Sequence, residues 1–148
     1  MIDDVSCLLE ILDTASNGDY DQLRAQWVRD ADAALVLFSL TARASFDNIS
    51  SHFNVIDKAL QENWFNFFPV FLVGTKCDLE GLRQVGNEEA AIAAQNYNTS
   101  YYGTSAKSRI NVEEVFYDAV RACRTREAVV YNNNSHSKGG KSRKCTIL

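Results

Sequence analysis

Apolar residues along this chain follow two different spacings. Short, nearly unbroken apolar runs stand at Cys7–Leu12 (CLLEIL), Ala33–Leu40 (AALVLFSL) and Val70–Gly74 (VFLVG). Each is too short for a helix and each gives way to a polar turn, which predicts strands of a parallel sheet covered on both faces. Ser100–Tyr102 is predicted as a fourth, short strand. Between these runs the apolar period lengthens to three or four. In Ser45–Leu60 it falls on Phe46, Ile49, Phe53, Ile56 and Leu60, the stripe of one amphipathic helix. Glu88–Tyr97 is rich in Ala, with acids in a first turn that suits them to the helix dipole. Asn111–Val130 aligns Val112, Val115, Phe116, Ala119, Val120 and Cys123, with Asn111 as its N-cap and Glu113 and Glu114 in the first turn. Asp19–Asp30 carries a weaker helical pattern. The alternation β-α-β-α-β-α-β-α predicts a doubly wound α/β fold.

From Asn132 the period stops and Asn, Ser, Gly and Lys take over. The chain therefore divides into a domain over 1–131 and a tail over 132–148, expected to be flexible. With 148 residues, 46% hydrophobic and 23% charged, one globular domain is the expectation. The net charge of -4 argues against nucleic acid as a partner, which wants a basic face. The charge is uneven, however. Past Asn132 the only charged side chains are Lys138, Lys141, Arg143 and Lys144, a basic tail suited to an anionic membrane surface. Cys7, Cys77, Cys123 and Cys145 include no CxxC pair, which makes disulfides or a zinc site an unattractive reading and a reducing compartment the better one. No apolar run reaches the roughly 20 residues of a membrane span.

Ligands of doubly wound sheets sit at the carboxyl ends of the strands. After the first strand stands Asp13, followed by Thr14, Ala15, Ser16, Asn17 and Gly18. A strand-end acid can hold Mg²⁺ directly or through water, or simply serve a turn. After the third strand comes Gly74-Thr75-Lys76-Cys77-Asp78-Leu79. The stem of Lys76 can lie along a base ring, and the Asp78 carboxylate can accept two N–H bonds from a guanine edge, bonds that adenine cannot offer; an ordinary polar turn is the alternative. After the fourth strand, Gly103-Thr104-Ser105-Ala106-Lys107 is small enough to let backbone N–H groups approach a flat ligand.

In their order and strand-end placement these segments resemble the Ras superfamily of small GTPases. LEILDTA, VGTKCDL and TSAK stand where that family has DTAG, N/T-K-x-D and SAK, and YDQLRAQWVRDADAALVLFSL and the SFDNI helix start match as well. The resemblance covers about Met1 to Arg126 and looks closest to the Ras/Rap/Ral branch. It implies a P-loop NTPase-like G domain, a mostly parallel sheet with helices on both faces. It implies GTP or GDP with Mg²⁺ as ligand, and GTP hydrolysis in membrane-associated signalling. Asp13 would sit in the Mg²⁺ shell, through water; Ser16 falls at the switch glycine; Asn17 at the water-orienting glutamine. Thr75, Lys76, Asp78 and Leu79 would read the guanine, Ser105, Ala106 and Lys107 would support it, and Asp19 to Arg29 would form the second switch. Exchange factors, GTPase-activating proteins and effectors would be its partners.

The sequence departs from that pattern in three ways. Asn17 is one methylene shorter than glutamine and Ser16 lacks glycine's backbone freedom, so slow hydrolysis and poor switching are expected. GxxxxGK followed by Ser or Thr occurs nowhere, and the first strand, the first helix and the first switch are missing with it. Losing four or five charge-assisted hydrogen bonds removes on the order of 6–15 kcal/mol, so weak or absent nucleotide binding is expected. The missing strand would also leave Cys7–Leu12 and Ala33–Leu40 with unpaired inner edges and the isolated chain poorly stable.

The sequence closes on Cys145-Thr146-Ile147-Leu148, a C-a-a-X pattern whose final Leu favours geranylgeranylation of Cys145 by a prenyltransferase. One lipid chain anchors marginally, and the four basic residues would supply the second signal on the cytoplasmic face of a membrane. Against a lipid-anchored small GTPase stand two other readings: a non-enzymatic prenylated Ras-like module acting through protein and membrane contacts, and an unrelated flavodoxin-like domain.

Overall fold

Among residues 1–14, 21–61, 68–133 and 144–148, which the computed structural model describes, five strands and five helices alternate along the chain. Strands β1 (Leu8–Ile11), β2 (Ala34–Ser39), β3 (Val70–Thr75) and β4 (Ser100–Gly103) fall on the four predicted runs. β2, β3 and β4 form one parallel sheet, with Ala34 opposite Val70 and Phe71 opposite Ser100. The side-chain period of two splits its residues between two cores. Ala34, Val36, Phe38 and Leu72 face one way, against Phe46, Ile49, Phe53 and Ile56. Phe71 and Val73 face the other, against Val115, Ala119 and Val120. Helices thus cover both faces, as the apolar runs require.

The single helix predicted over Ser45–Leu60 is two, α2 (Arg43–Asp47) and α3 (Ile49–Gln61), broken at Asn48. The Ser51 hydroxyl donates to the Asn48 carbonyl at 2.8 Å and its amide donates to the same oxygen at 3.1 Å. Such local polar bonds compete with the helical ladder. The apolar stripe crosses the break intact: Phe46, Ile49, Phe53 and Ile56 are all buried. α1 (Asp21–Asp30) and α4 (Asn87–Asn96) join that layer through Val28 and through Ala90 and Ala94. The Phe53 ring of α3 stacks on Tyr97, just past α4, at 3.9 Å between centroids. On the opposite face lies α5 (Val112–Asn133), which runs past the boundary expected at 131. The first residues clasp it. Asp3 and Asp4, with φ of 52° and 59°, turn the chain so that Ile2 and Val5 exchange two backbone bonds of 3.1 Å. Asp3 then pairs with Arg121 at 2.6 Å, and Arg124 donates to the Ile2 carbonyl at 3.0 Å.

The described end of the tail takes a defined place in the sheet. Residues 144–148 are not a free end: Lys144–Ile147 form a fifth strand, β5, parallel to β1 with Leu9 opposite Cys145 and Ile11 opposite Ile147. Its other edge meets the start of β2 through the parallel bridge Ala33–Ile147. The Leu148 amide donates to the Ala33 carbonyl at 3.0 Å, and the Leu35 amide donates to the Leu148 carbonyl at 2.6 Å. β5 therefore lies between β1 and β2, where unpaired inner edges had been expected. The physical reason is the one that made those edges a liability: two apolar strands with open backbone groups accept any apolar segment that can reach them. Ile147 is wholly buried and Cys145 nearly so, against α5. Lys138, Lys141 and Arg143 lie outside the described residues.

Candidate functional site

Two neighbouring crevices open along the carboxyl edge of the strands. The loop after β3 builds one of them. Gly74 brings the backbone close to a packed layer: a Cβ there would stand 2.9 Å from Tyr101 Oη and 3.1 Å from both Leu40 Cγ and Phe38 Cζ. Thr75 Oγ1 donates to the Phe38 carbonyl at 3.0 Å, which ties the end of β3 to β2. Lys76 takes a left-handed φ of 63° and accepts the Leu79 amide at 3.1 Å, and this turn presents Asp78 sideways from the strand. The loop after β4 is laced to it. The Thr104 amide donates to the Gly74 carbonyl at 2.7 Å, and the Cys77 amide donates to the Thr104 carbonyl at 2.9 Å. Ser105 and Ile110 close their own loop with two reciprocal backbone bonds of 3.0 Å, and the buried Ser105 Oγ accepts the Ser108 amide at 3.0 Å.

Together the two loops enclose a crevice of about 530 Å³ whose lining includes Thr75, Lys76, Asp78, Leu79, Ser105, Ala106 and Lys107. Every residue expected to read or support a base is in that one lining. The floor and walls are apolar, from Leu35, Leu37, Val73, Val112, Val115 and Phe116. The half-buried Asp78 carboxylate has no hydrogen-bond or ionic partner among the described residues, while Lys76 and Lys107 are exposed at the rim. An apolar slot with one carboxylate left to satisfy suits a flat heterocycle that offers paired N–H donors.

Several residues that brace this crevice escaped the sequence reading. Arg83 donates to Asn87 Oδ1 at 2.9 Å and to the Cys77 carbonyl at 3.3 Å, and Tyr101 Oη donates to the same Asn87 oxygen at 3.1 Å. Burial pushes the Tyr101 phenol above its ordinary pKa, so it remains a donor. Asn111, expected as an N-cap, has φ of 52° and spends its side-chain amide on the Gly103 carbonyl at 2.8 Å. Short motifs carry no trace of such long-range partners; only the polar residues flanking each loop hinted at them.

The second crevice, about 570 Å³, follows β1 and β5 and shares Leu35, Leu37 and Phe116 with the first. Asp13 and Thr14 enter it from β1, Leu148 from β5, Arg24 and Trp27 from α1, and His52 from α3. His52 is half-buried here; burial first, and Arg24 second, hold its pKa below the usual value. Asp13 is exposed and stands at the strand end as expected. Ser16, Asn17 and the start of the Asp19–Arg29 segment lie outside the described residues. Among the described residues no group of three or more His, Cys, Asp or Glu stands ready for a metal ion.

A guanine ring and its bound phosphates can thus be judged separately. The crevice beyond β3 fits the ring. The crevice beyond β1 sets the Asp13 carboxylate, the Thr14 hydroxyl, the Arg24 guanidinium and the His52 imidazole in a largely apolar lining beside the end of β5, too few donors among the described residues to surround a triphosphate.

A model of the Ras family matches residues 1–125. Over 124 aligned positions the chain is 40% identical to a Ras-like protein of Laccaria bicolor, covering 84% of this chain and 58% of that protein. It is 35% identical over 153 positions to Ras-like protein rasB of Dictyostelium discoideum, covering 99% of this chain and 76% of that one. To Ras-like protein 1 of Saccharomyces cerevisiae it is 39% identical over 124 positions, covering 84% of this chain and 39% of that relative. The chain thus spans between 39% and 76% of the length of these relatives.

Proposed function

This chain belongs to the Ras family of small GTPases, and from that membership and the crevice beyond β3 we propose that it recognises guanine nucleotides chiefly through the base. The half-buried Asp78 carboxylate, without a partner among the described residues, carries the reading. It accepts the paired N–H donors of guanine while Lys76 and Lys107 flank the ring and Thr75, Ser105 and Ala106 hold the loops. Mg²⁺, when bound with nucleotide, would screen phosphate charge, with Asp13 the carboxylate among the described residues placed to hold it through water. Asn17 and Ser16, at the glutamine and glycine positions of the family, support slow hydrolysis and poor switching. Cys145 and the basic residues Lys138, Lys141, Arg143 and Lys144 support a prenylated chain on the cytoplasmic face of a membrane, where exchange factors, activating proteins and effectors act in this family. No described helix is long and apolar enough to cross a bilayer.

A second reading, a Ras-like module that acts by protein and membrane contacts without hydrolysing GTP, is favoured by one observation. β5 and Leu148 stand at the crevice beside Asp13.

Calorimetric titration separates the two. Base-led recognition gives micromolar or weaker binding to GMP, GDP and GTP alike, with no heat from the adenine nucleotides. Asp78→Ala then weakens guanine binding tenfold or more, the loss of hydrogen bonds to a charged group worth about 1.5–3 kcal/mol each. Equal binding of GDP and ADP would overturn the assignment, and no binding of either would leave the non-enzymatic module.

A further inference from the structure

The thiol that lipidation needs is inside the sheet. Cys145 is 7% exposed and Ile147 is fully covered, both packed with Val115, Ala119 and Val120 of α5. The backbone on either side is engaged as well. The Leu12 amide donates to the Ile147 carbonyl at 2.9 Å, and the Asp32 amide donates to the Thr146 carbonyl at 2.8 Å. Thr146 returns its own amide to Asp32 Oδ2 at 2.9 Å. A protein substrate of a prenyltransferase must offer these same residues as a free, extended segment. One tetrapeptide cannot occupy both places.

We propose that closure of the sheet by β5 and prenylation of Cys145 are mutually exclusive, so that the strand acts as a built-in gate on its own lipidation. The proposal rests on the lipidation reading above. In the transfer, the Cys145 sulfur bonds to C1 of geranylgeranyl diphosphate as the C1–O bond breaks; diphosphate leaves with the bonding pair and the thiol proton passes to solvent. Only the fraction of molecules with β5 withdrawn reacts, and the observed rate is scaled by that fraction. Once the bulky isoprenoid is on the sulfur, the narrow space against α5 no longer admits the strand. The lipid then holds the sheet open between β1 and β2, and the covered crevice edge near Asp13 changes with it.

The test compares the unlipidated full chain with a peptide of residues 134–148. Each is treated with N-ethylmaleimide and, separately, with geranylgeranyl diphosphate and the type I geranylgeranyltransferase, and reaction at Cys145 is followed by mass spectrometry. Both reactions are expected at least about tenfold slower in the full chain. Asp32→Ala, which frees the Thr146 amide and leaves the last five residues untouched, should raise both rates several-fold. In the purified geranylgeranylated chain, the Leu12, Asp32 and Leu35 amides should lose their protection from hydrogen exchange. Reaction in the full chain at the peptide's rates, or a lipidated chain that keeps those amides protected, overturns the gate. A peptide that accepts no geranylgeranyl group overturns the lipidation reading and the gate with it, and the alkylation ratio then still reports whether β5 covers the thiol.

Discussion

Gly74 and His52 show how single positions carry the crevices. At Gly74 the backbone passes within a methyl group's reach of Tyr101, Leu40 and Phe38. Gly74→Ala is expected to lower stability by about 1–3 kcal/mol, the range for overfilling a packed layer, read from urea denaturation; an unchanged midpoint would mean that the layer yields freely. His52 couples the second crevice to pH. Its folded pKa lies below the unfolded value of about 6.5, so the folded state prefers neutral imidazole. The stability this contributes is present above that value and lost as pH falls through the folded pKa. Urea midpoints should therefore drop between pH 7 and pH 5, and His52→Gln should flatten part of that drop; an identical slope in the variant would assign it elsewhere. Asp13, Asp78 and Lys107 were legible in the sequence because a strand end announces itself by where an apolar run stops. Arg83, Asn87 and Asn111 were not, since what places them is a carbonyl or an amide many residues away.

Elements were legible to the extent that their own period defined them. β2, β3 and β4 match their apolar runs within a residue or two, and α4 starts where its acids stand. The break at Asn48 was invisible because the buried stripe passes straight through it. β5 was invisible for a different reason: CTIL is a short segment behind a basic, Gly-containing stretch, and what makes it a strand is the place open between β1 and β2. Two substitutions on this pair should separate burial from propensity. Ile147→Ala removes a fully covered side chain and should cost about 2–5 kcal/mol. Leu8→Ala alters a side chain 60% exposed on β1 and should stay within about 0.5 kcal/mol. Denaturant titration of both variants checks the contrast, and equal losses would show that β5 is not anchored by its core contacts.

Across the whole molecule the parallel α/β layout followed from the alternation of periods, whereas the sheet's continuity did not. Its two ladders, β1–β5 and β2–β3–β4, meet at the bridge Ala33–Ile147 and its neighbouring hydrogen bonds. Hydrogen exchange should resolve them: Leu72 and Val73 in the doubly paired β3 slowest, and β1, whose Leu8 and Ile11 are 60% and 55% exposed, faster by orders of magnitude. Uniform protection would mean one cooperative sheet. The order of assembly carries a consequence for how this protein is made. β1 is translated roughly 130 residues ahead of its ladder partner β5. At roughly 5–20 residues per second the nascent chain holds an apolar strand without its mate for on the order of ten seconds. During that interval it is exposed to chaperones and to other nascent strands, and the sheet is joined only once β5 has been made.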